Sequence, residues 1–160
     1  ISKRRLSLTP PVEEGPYYKE GSPGRKNIVG KRTPGTKLIV EGRVLDRSGG
    51  PIAGAWLDFW HAGSDGLYDN EGYNLRGHQF TGKDGRYHVE TIRPSGYQTR
   101  APHIHVKVRA GEESPVLTVQ LFFPGEKKNA TDPIFEKRTV MDVIDTADGQ
   151  KAVFDFVVER

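Results

Sequence analysis

Cysteine is absent from this chain of 160 residues. That excludes a disulfide framework and any thiolate metal site, and it leaves the redox compartment unmarked by sulfur. No apolar run is long enough to cross a bilayer as a helix, so no membrane partner is expected. No internal repeat is present, which excludes an architecture assembled from repeated units. Apolar residues make up only 34% of the chain, while glycine numbers 19 and proline 11. This balance favours a single all-β domain rich in turns over a helical bundle, and the length suffices to bury most of the surface an unfolded chain would expose.

The net charge of +3 hides an asymmetry. Residues 1–37 hold nine Lys or Arg against three Glu, so the remainder is net acidic. A solvated basic arm is the expected reading. Nucleic-acid binding would need a basic stripe interleaved with stacking aromatics, whereas Tyr17 and Tyr18 stand beside Glu13, Glu14 and Glu20, so no nucleic acid is expected. The chain starts at Ile1 instead of methionine. A removed signal peptide or a trimmed tag would each account for that, and the first favours an extracellular location. Asn129-Ala130-Thr131 matches a glycosylation acceptor triplet, a pattern that also arises by chance.

Residues 1–37, with TPP, EGPYY, GSPGRK and TPG, show no sustained period and read as an extended arm that contributes to a pocket. From Leu38 the texture changes, so 38–160 is expected to form the main domain. LIVEGRVLD, AWLDFWH, RYHVETI, HIHVKVR, VLTVQLFF and AVFDFVV are short β-rich runs, separated by turn signals such as RSGGP, GSDG, GKDG, PSG and TADG. Strands of this length and spacing predict an all-β sandwich of the immunoglobulin or transthyretin kind. DPIFEKRTVMDVI, residues 132–144, is the one helix candidate. Trp56, Asp58 and Trp60 alternate onto one sheet face.

The richest chemistry lies in PSGYQTRAPHIHVKV. Ile104, Val106 and Val108 alternate with His103, His105 and Lys107, so a strand here carries two imidazoles on one face. At roughly 7 Å apart along the backbone, by twice the strand rise, those rings can close on one metal ion. Tyr97 arrives from the turn just upstream and Tyr68 from the turn SDGLYDN. Taken singly each is weak. A lone His-x-His on a strand more often faces solvent, and Tyr97 alone fits a tyrosine corner. The combination in one order, with Arg100 just before the histidines, points to a ferric site with two phenolates. A hard trivalent ion prefers anionic oxygen, tolerates imidazole and can take the proton of a phenol whose ordinary pKa is about 10. Two phenolates, two neutral histidines and a hydroxide would leave the site uncharged, which suits a partly buried cleft.

Other metal patterns fit poorly. A cupin would place a glutamate four or five residues after the second histidine and a further histidine downstream, but Glu112 is the next acid and no histidine follows. A ferrous facial triad needs a carboxylate, and none lies near HIH in sequence, although Asp58 or Asp65 could approach in space. No HExxH is present. His61 reads as a polar strand end or a neighbour of the metal ligands, and His78 and His88 as surface residues.

These residues resemble the intradiol ring-cleavage dioxygenases, the group that includes catechol, hydroxyquinol and protocatechuate dioxygenases. The resemblance runs from about Thr9 to Asp142 through TPPVEEGPYY, GRVLDRSGGPIAGAWLDFWHAGSDGLYD, RGHQFTGKDGRYHVETIRPSGY, RAPHIHVKV and LTVQLFFPG. It implies a β-sandwich that holds non-haem Fe(III) and uses O₂ to cleave catechols between their hydroxyl-bearing carbons, giving cis,cis-muconate-type diacids. The setting implied is catabolism of aromatic compounds, lignin-derived ones included. Tyr68 and Tyr97 match the family's tyrosinates and His103 and His105 its histidine ligands, with Tyr97 and His103 axial and Tyr68 and His105 equatorial. Arg100 matches the arginine over the substrate ring, and Gln120 a glutamine behind the metal ligands. Gly15, Pro16 and Tyr17, with Phe59 and Ala62, fall where the family lines its substrate pocket. The helical dimerisation module of catechol-specialised members has no counterpart here, so that dimer is not expected, and the five-residue spacer from Tyr97 to His103 is short. Part of the frame also resembles carboxypeptidase-regulatory-like sandwich modules, which catalyse nothing. Function resides in the site and not in the fold, and such modules have no reason to keep HIH, Arg100 and two turn tyrosines.

Overall fold

The computed structural model describes residues 5–160, so the first four residues of the expected arm lie outside the described residues. Nine strands form two sheets: β1 (Lys37–Leu45), β2 (Trp56–Trp60), β3 (Arg76–Phe80), β4 (Arg86–Ile92), β5 (His103–Arg109), β6 (Leu117–Phe122), β7 (Asp142–Thr146), β8 (Gly149–Val153) and β9 (Phe156–Val157). One sheet has the order β4-β1-β8-β7, with β9 also pairing with β1; the other has the order β3-β2-β5-β6. All pairings are antiparallel except β1 with β8 and with β9. The molecule is the all-β sandwich expected.

Period-two alternation builds the core. From the first sheet come Leu38, Val40, Val44, Tyr87, Val89, Ala152 and Phe156, and from the second Leu57, Phe59, Ile104, Val106, Val108, Val119 and Leu121, all buried in one cluster. Burial at about 25 cal/mol per Å² of apolar surface makes this interlayer the main stabilising term. Gly42 is required on β1. A Cβ there would strike the carbonyl of Phe154, where the chain crosses from β8 to β9.

Two expectations are corrected. The segment 132–144 is not a helix. It holds a 3-10 turn at Lys137–Thr139 and then enters β7. Side chains compete with the backbone here, since Asp132 accepts from the Ile134 N–H and Glu136 from the Arg138 N–H, while the β-branched Val140, Val143 and Ile144 favour strand. AVFDFVV is not one strand but the end of β8 followed by β9, and β3 and β7 were not among the expected runs. In the glycosylation triplet, Asn129 Nδ2 donates to the Phe123 carbonyl at 2.8 Å, so its amide is engaged inside the fold.

The described residues ahead of β1, 5–36, run extended across both sheets. Single bridges join Gly24 to His78 and Asn27 to Glu90, and Ile28 enters the core. The segment from Gly15 to Ser22 lies on the outer face of β2, where Asp58 accepts hydrogen bonds from Tyr18 Oη at 2.8 Å and Ser22 Oγ at 2.7 Å. His78, expected at the surface, is half-buried beneath this arm, with Ser22 against its Nδ1.

Candidate metal centre

The outer face of the second sheet carries the site. Register places His105 between Trp60 of β2 and Gln120 of β6, with His103 two residues back on the same face. Tyr68 comes from the loop joining β2 to β3. That loop is tied by the Gly63 N–H to the Leu67 carbonyl, by Gly66 in the left-handed region at φ 78°, and by the Asp69 carboxylate, which accepts from the N–H groups of Glu71, Gly72 and Asn74. Tyr97 comes from the loop joining β4 to β5. There Tyr97 N donates to the Arg100 carbonyl at 3.2 Å and Arg100 N to the Tyr97 carbonyl at 2.8 Å. Gln98 takes φ 52° inside this two-residue turn, as reverse turns of this kind demand.

The four side chains meet at one point. Tyr68 Oη lies 3.0 Å from Tyr97 Oη, 2.8 Å from His105 Nε2 and 3.3 Å from His103 Nε2. Tyr97 Oη is 3.4 Å from His103 Nε2, and the two Nε2 atoms are 3.1 Å apart. Separations of this size between donors are the edges of a coordination polyhedron with bonds of about 2 Å, the usual range for a first-row metal on imidazole. His103 Nδ1 sits 2.6 Å from the Ala101 carbonyl, so its proton is placed there and the Nε2 lone pair faces the centre. Nδ1 of His105 is buried without a partner. Without a cation, two phenolic protons must serve two phenol oxygens and two imidazoles, whereas one cation is shared by all four. The donor set therefore fits a metal. Among the described residues no group of three His, Cys, Asp or Glu could hold one, so the tyrosines are essential to it.

Electrostatics agree with that chemistry. Burial first, and then the neighbouring Tyr97, push the Tyr68 phenol far above its usual value, so only a strong Lewis acid would ionise it. Burial, with Arg100 nearby, pulls His103 down to about 4, and burial with His103 beside it holds His105 well below its usual value. Both imidazoles are neutral at pH 7, as a metal requires of its ligands.

Arg100 is held beside this cluster. Its Nε donates to both oxygens of Asp132 at 3.0 and 2.9 Å, and its Nη2 to Gln120 Oε1. Gln120 Nε2 reaches the Glu13 carbonyl at 3.2 Å, so strand, arginine and arm are linked. Tyr17 stacks on Tyr68 with centroids 4.2 Å apart and planes at 15°, and the backbone of Gly15 passes over the His105 ring. Pro16 is exposed. A cleft of about 180 Å³ opens among Tyr17, Leu67, Tyr68, Tyr97 and Gln98, on the scale of the roughly 150 Å³ that holds a benzene ring. The larger cleft of about 620 Å³ around Arg93 and Lys127 includes none of the four donors.

Phe59, expected at the pocket, belongs instead to the interlayer core, where it packs against Tyr87. On β2 it alternates with Trp60, and only Trp60 shares the face of His105. Ala62 is buried, and its carbonyl lies 2.7 Å from Nδ1 of His61. Three site residues escaped the sequence reading. Trp60 stacks on His105, buried Arg76 donates to the Tyr17 carbonyl and to that of Asp69, and Asp132 holds Arg100. Only Trp60 left a signal, through its place two residues from Asp58 in the alternation of β2.

An all-β sandwich thus gathers two loop tyrosines and two strand histidines at one sheet face, with an arginine alongside. A dioxygenase family model matches residues 13–159, and the chain belongs to the intradiol ring-cleavage dioxygenase family. It is 32% identical over 156 residues to a chlorocatechol 1,2-dioxygenase of Rhodococcus opacus, aligning 79% of this chain with 60% of that protein. A chlorocatechol 1,2-dioxygenase of Pseudomonas putida is 30% identical, with 98% and 70% covered. Among solved structures, the dioxygenase domain of a dioxygenase carbohydrate-binding protein fusion from Streptomyces sp. SirexAA-E superposes with a TM-score of 0.92 at 46% identity, covering 96% of this chain and 99% of that one. The chain thus spans less than two thirds of the Rhodococcus opacus protein.

Proposed function

We propose that this chain cleaves catechols between their two hydroxyl-bearing carbons with O₂, using non-haem ferric iron held by Tyr68, Tyr97, His103 and His105. The observation that carries this reading is the convergence of Tyr68 Oη, Tyr97 Oη, His103 Nε2 and His105 Nε2 within 2.8 to 3.4 Å beside Arg100. Bound there, ferric iron would supply the Lewis acidity that turns both catechol hydroxyls into anionic oxygens and makes the ring electron-rich toward O₂.

The protein's own groups do the rest. Tyr97 Oη, at the cleft side of the cluster, is the proposed acceptor of a substrate proton. Arg100, already oriented by Asp132 and Gln120, faces the ring as negative charge develops on it, which is electrostatic stabilisation arranged before the reaction begins. Tyr17 and the Gly15 backbone cover the cluster from the arm side and limit the approach of water. Catechol, methylcatechols and hydroxyquinol are the proposed substrates, with larger lignin-like catechols admitted because Leu67 at the mouth is 69% exposed. One methyl group in an apolar pocket is worth only about 1 to 3 kcal/mol even when tightly fitted. A ring carboxylate, as in protocatechuate, would need a cation. The arm's Lys19 and Arg25 are instead spent on carbonyls of the loop that bears Tyr68 and of β3.

Iron reconstitution tests the reading. Loaded protein should show tyrosinate-to-iron colour that shifts on anaerobic catechol, and His103→Ala or His105→Ala should lose iron and activity together. Arg100→Ala should keep coloured iron and turn over slowly. Protein that stays colourless and inactive with iron sinks the proposal. A preference for protocatechuate of about a hundredfold in kcat/KM, a difference no single methyl contact accounts for, overturns the substrate class.

A further inference from the structure

Arg100 is fixed from behind by a carboxylate that lies beyond the reach of any substrate. The Asp132 side chain is fully excluded from solvent, and that of Arg100 is 13% exposed. All of Asp132's accepting capacity is spent on two neighbouring segments. Both oxygens take Arg100 Nε, Oδ2 also takes the Ala101 N–H at 2.8 Å, and Oδ1 the Ile134 N–H at 2.8 Å. The same carboxylate therefore holds the guanidinium and the backbone two residues before His103. An arginine side chain is long and rich in rotamers, and left free it would have to be ordered at every substrate encounter. Held by Asp132 at Nε and by Gln120 at Nη2, it is ordered once, on folding, and Nη1 remains without a partner among the described residues.

We infer that Asp132 is the positioning residue for Arg100: its effect on turnover runs through the guanidinium it holds, while its bond from the Ala101 N–H steadies the backbone ahead of His103. The inference rests on the ring-cleavage reading for its kinetic consequence, whereas the coupling of the two side chains does not. Asp132→Asn keeps the shape and one accepting oxygen, but it removes the charge and turns an amide N–H₂ toward Arg100.

A double-mutant cycle with Arg100→Ala tests this in the iron-loaded protein, with catechol as substrate. Asp132→Asn should lower kcat by about ten- to hundredfold with little change in KM, at wild-type iron content and unaltered visible absorption. In the Arg100→Ala background the same substitution should change kcat by less than about twofold, because the two act as a unit. Independent, multiplying effects overturn the proposal, as does Asp132→Asn with wild-type kcat. If Asp132→Asn does not fold, Asp132→Glu carries the same cycle, since it keeps the charge but displaces the carboxylate; effects of Asp132→Glu and Arg100→Ala that multiply independently overturn the inference. Thermal midpoints of the same set give a readout without turnover, and the double variant should lose less than the sum of the single losses. If the parent cleaves no catechol, the ring-cleavage reading has failed, and additive midpoint shifts would separately refute the pairing.

Discussion

Trp60 lies face to face with His105, ring centroids 4.7 Å apart and planes 11° from parallel. Tyr18 of the arm packs on Trp60, also at 4.7 Å. The imidazole is therefore set by strand register on one side and by a fully buried indole on the other. Trp60→Ala should destabilise the metal-free protein by about 3 to 5 kcal/mol, the range for emptying a large aromatic site, and should speed metal loss. Trp60→Phe, which keeps a ring and removes an indole N–H that has no partner, should cost less. Urea unfolding decides it, and an Ala variant within about 1 kcal/mol of the parent contradicts the role.

Asp58 fastens the arm. Burial raises its carboxyl pKa while the hydrogen bonds from Ser22 and Tyr18 oppose that rise. Asp58→Ala strands two hydroxyls, and opening of the arm should become easier by about 2 kcal/mol, a roughly thirtyfold faster tryptic cut at Lys19. Limited proteolysis followed by mass spectrometry measures it. An unchanged rate would show that the arm is held elsewhere.

Gly96 permits the turn that sets Tyr97 beside Arg100. A Cβ here would collide with the Arg100 carbonyl and press on Pro102 at 3.2 Å, neither of which can swing away. Gly96→Ala should cost about 1 to 3 kcal/mol and lower the iron bound per chain more than the loss of stability alone explains. Metal analysis of the folded fraction is the check, and full iron occupancy would mean that the turn tolerates the shift.

His61 makes stability depend on pH. Its Nδ1 lies 2.7 Å from the Ala62 carbonyl and its Nε2 2.6 Å from the Thr91 hydroxyl, and burial pulls its pKa down to about 4. An unfolded imidazole titrates near 6.5. Between these values the unfolded chain binds the extra proton, so the contribution of His61 is complete above about pH 6.5 and is lost as pH falls toward 4, at about 1.4 kcal/mol per unit. Urea midpoints of metal-free protein from pH 7.5 to 4.5 should fall more steeply for the parent than for His61→Gln, which does not titrate. Parallel curves would place the proton elsewhere.

Some of this was legible in the residues alone because β periodicity is local. The alternation of HIHVKV is enough to put His103 and His105 on one face opposite Ile104, Val106 and Val108, and turn residues mark most strand ends. The motifs around Tyr68 and Tyr97 carry the family signature. Strand identity at 142–146 was not legible, since Asp-Val-Ile-Asp-Thr is too short and too polar to show a period until a neighbour such as β8 pairs with it. Nor could β2 reveal its core side. Leu57 and Phe59 face one way and Trp56, Asp58 and Trp60 the other, two large indoles offset the one carboxylate as a sign of the outer face, and only packing of the two sheets sends Phe59 inward and leaves Trp60 against His105. The pairs that make the site work are long-range: Arg100 with Asp132, Gln120 with the Glu13 carbonyl, Tyr17 on Tyr68. No periodicity encodes which distant segments meet; that was decided by sheet register and by the path of the arm, through buried polar groups that had to find partners once water was excluded.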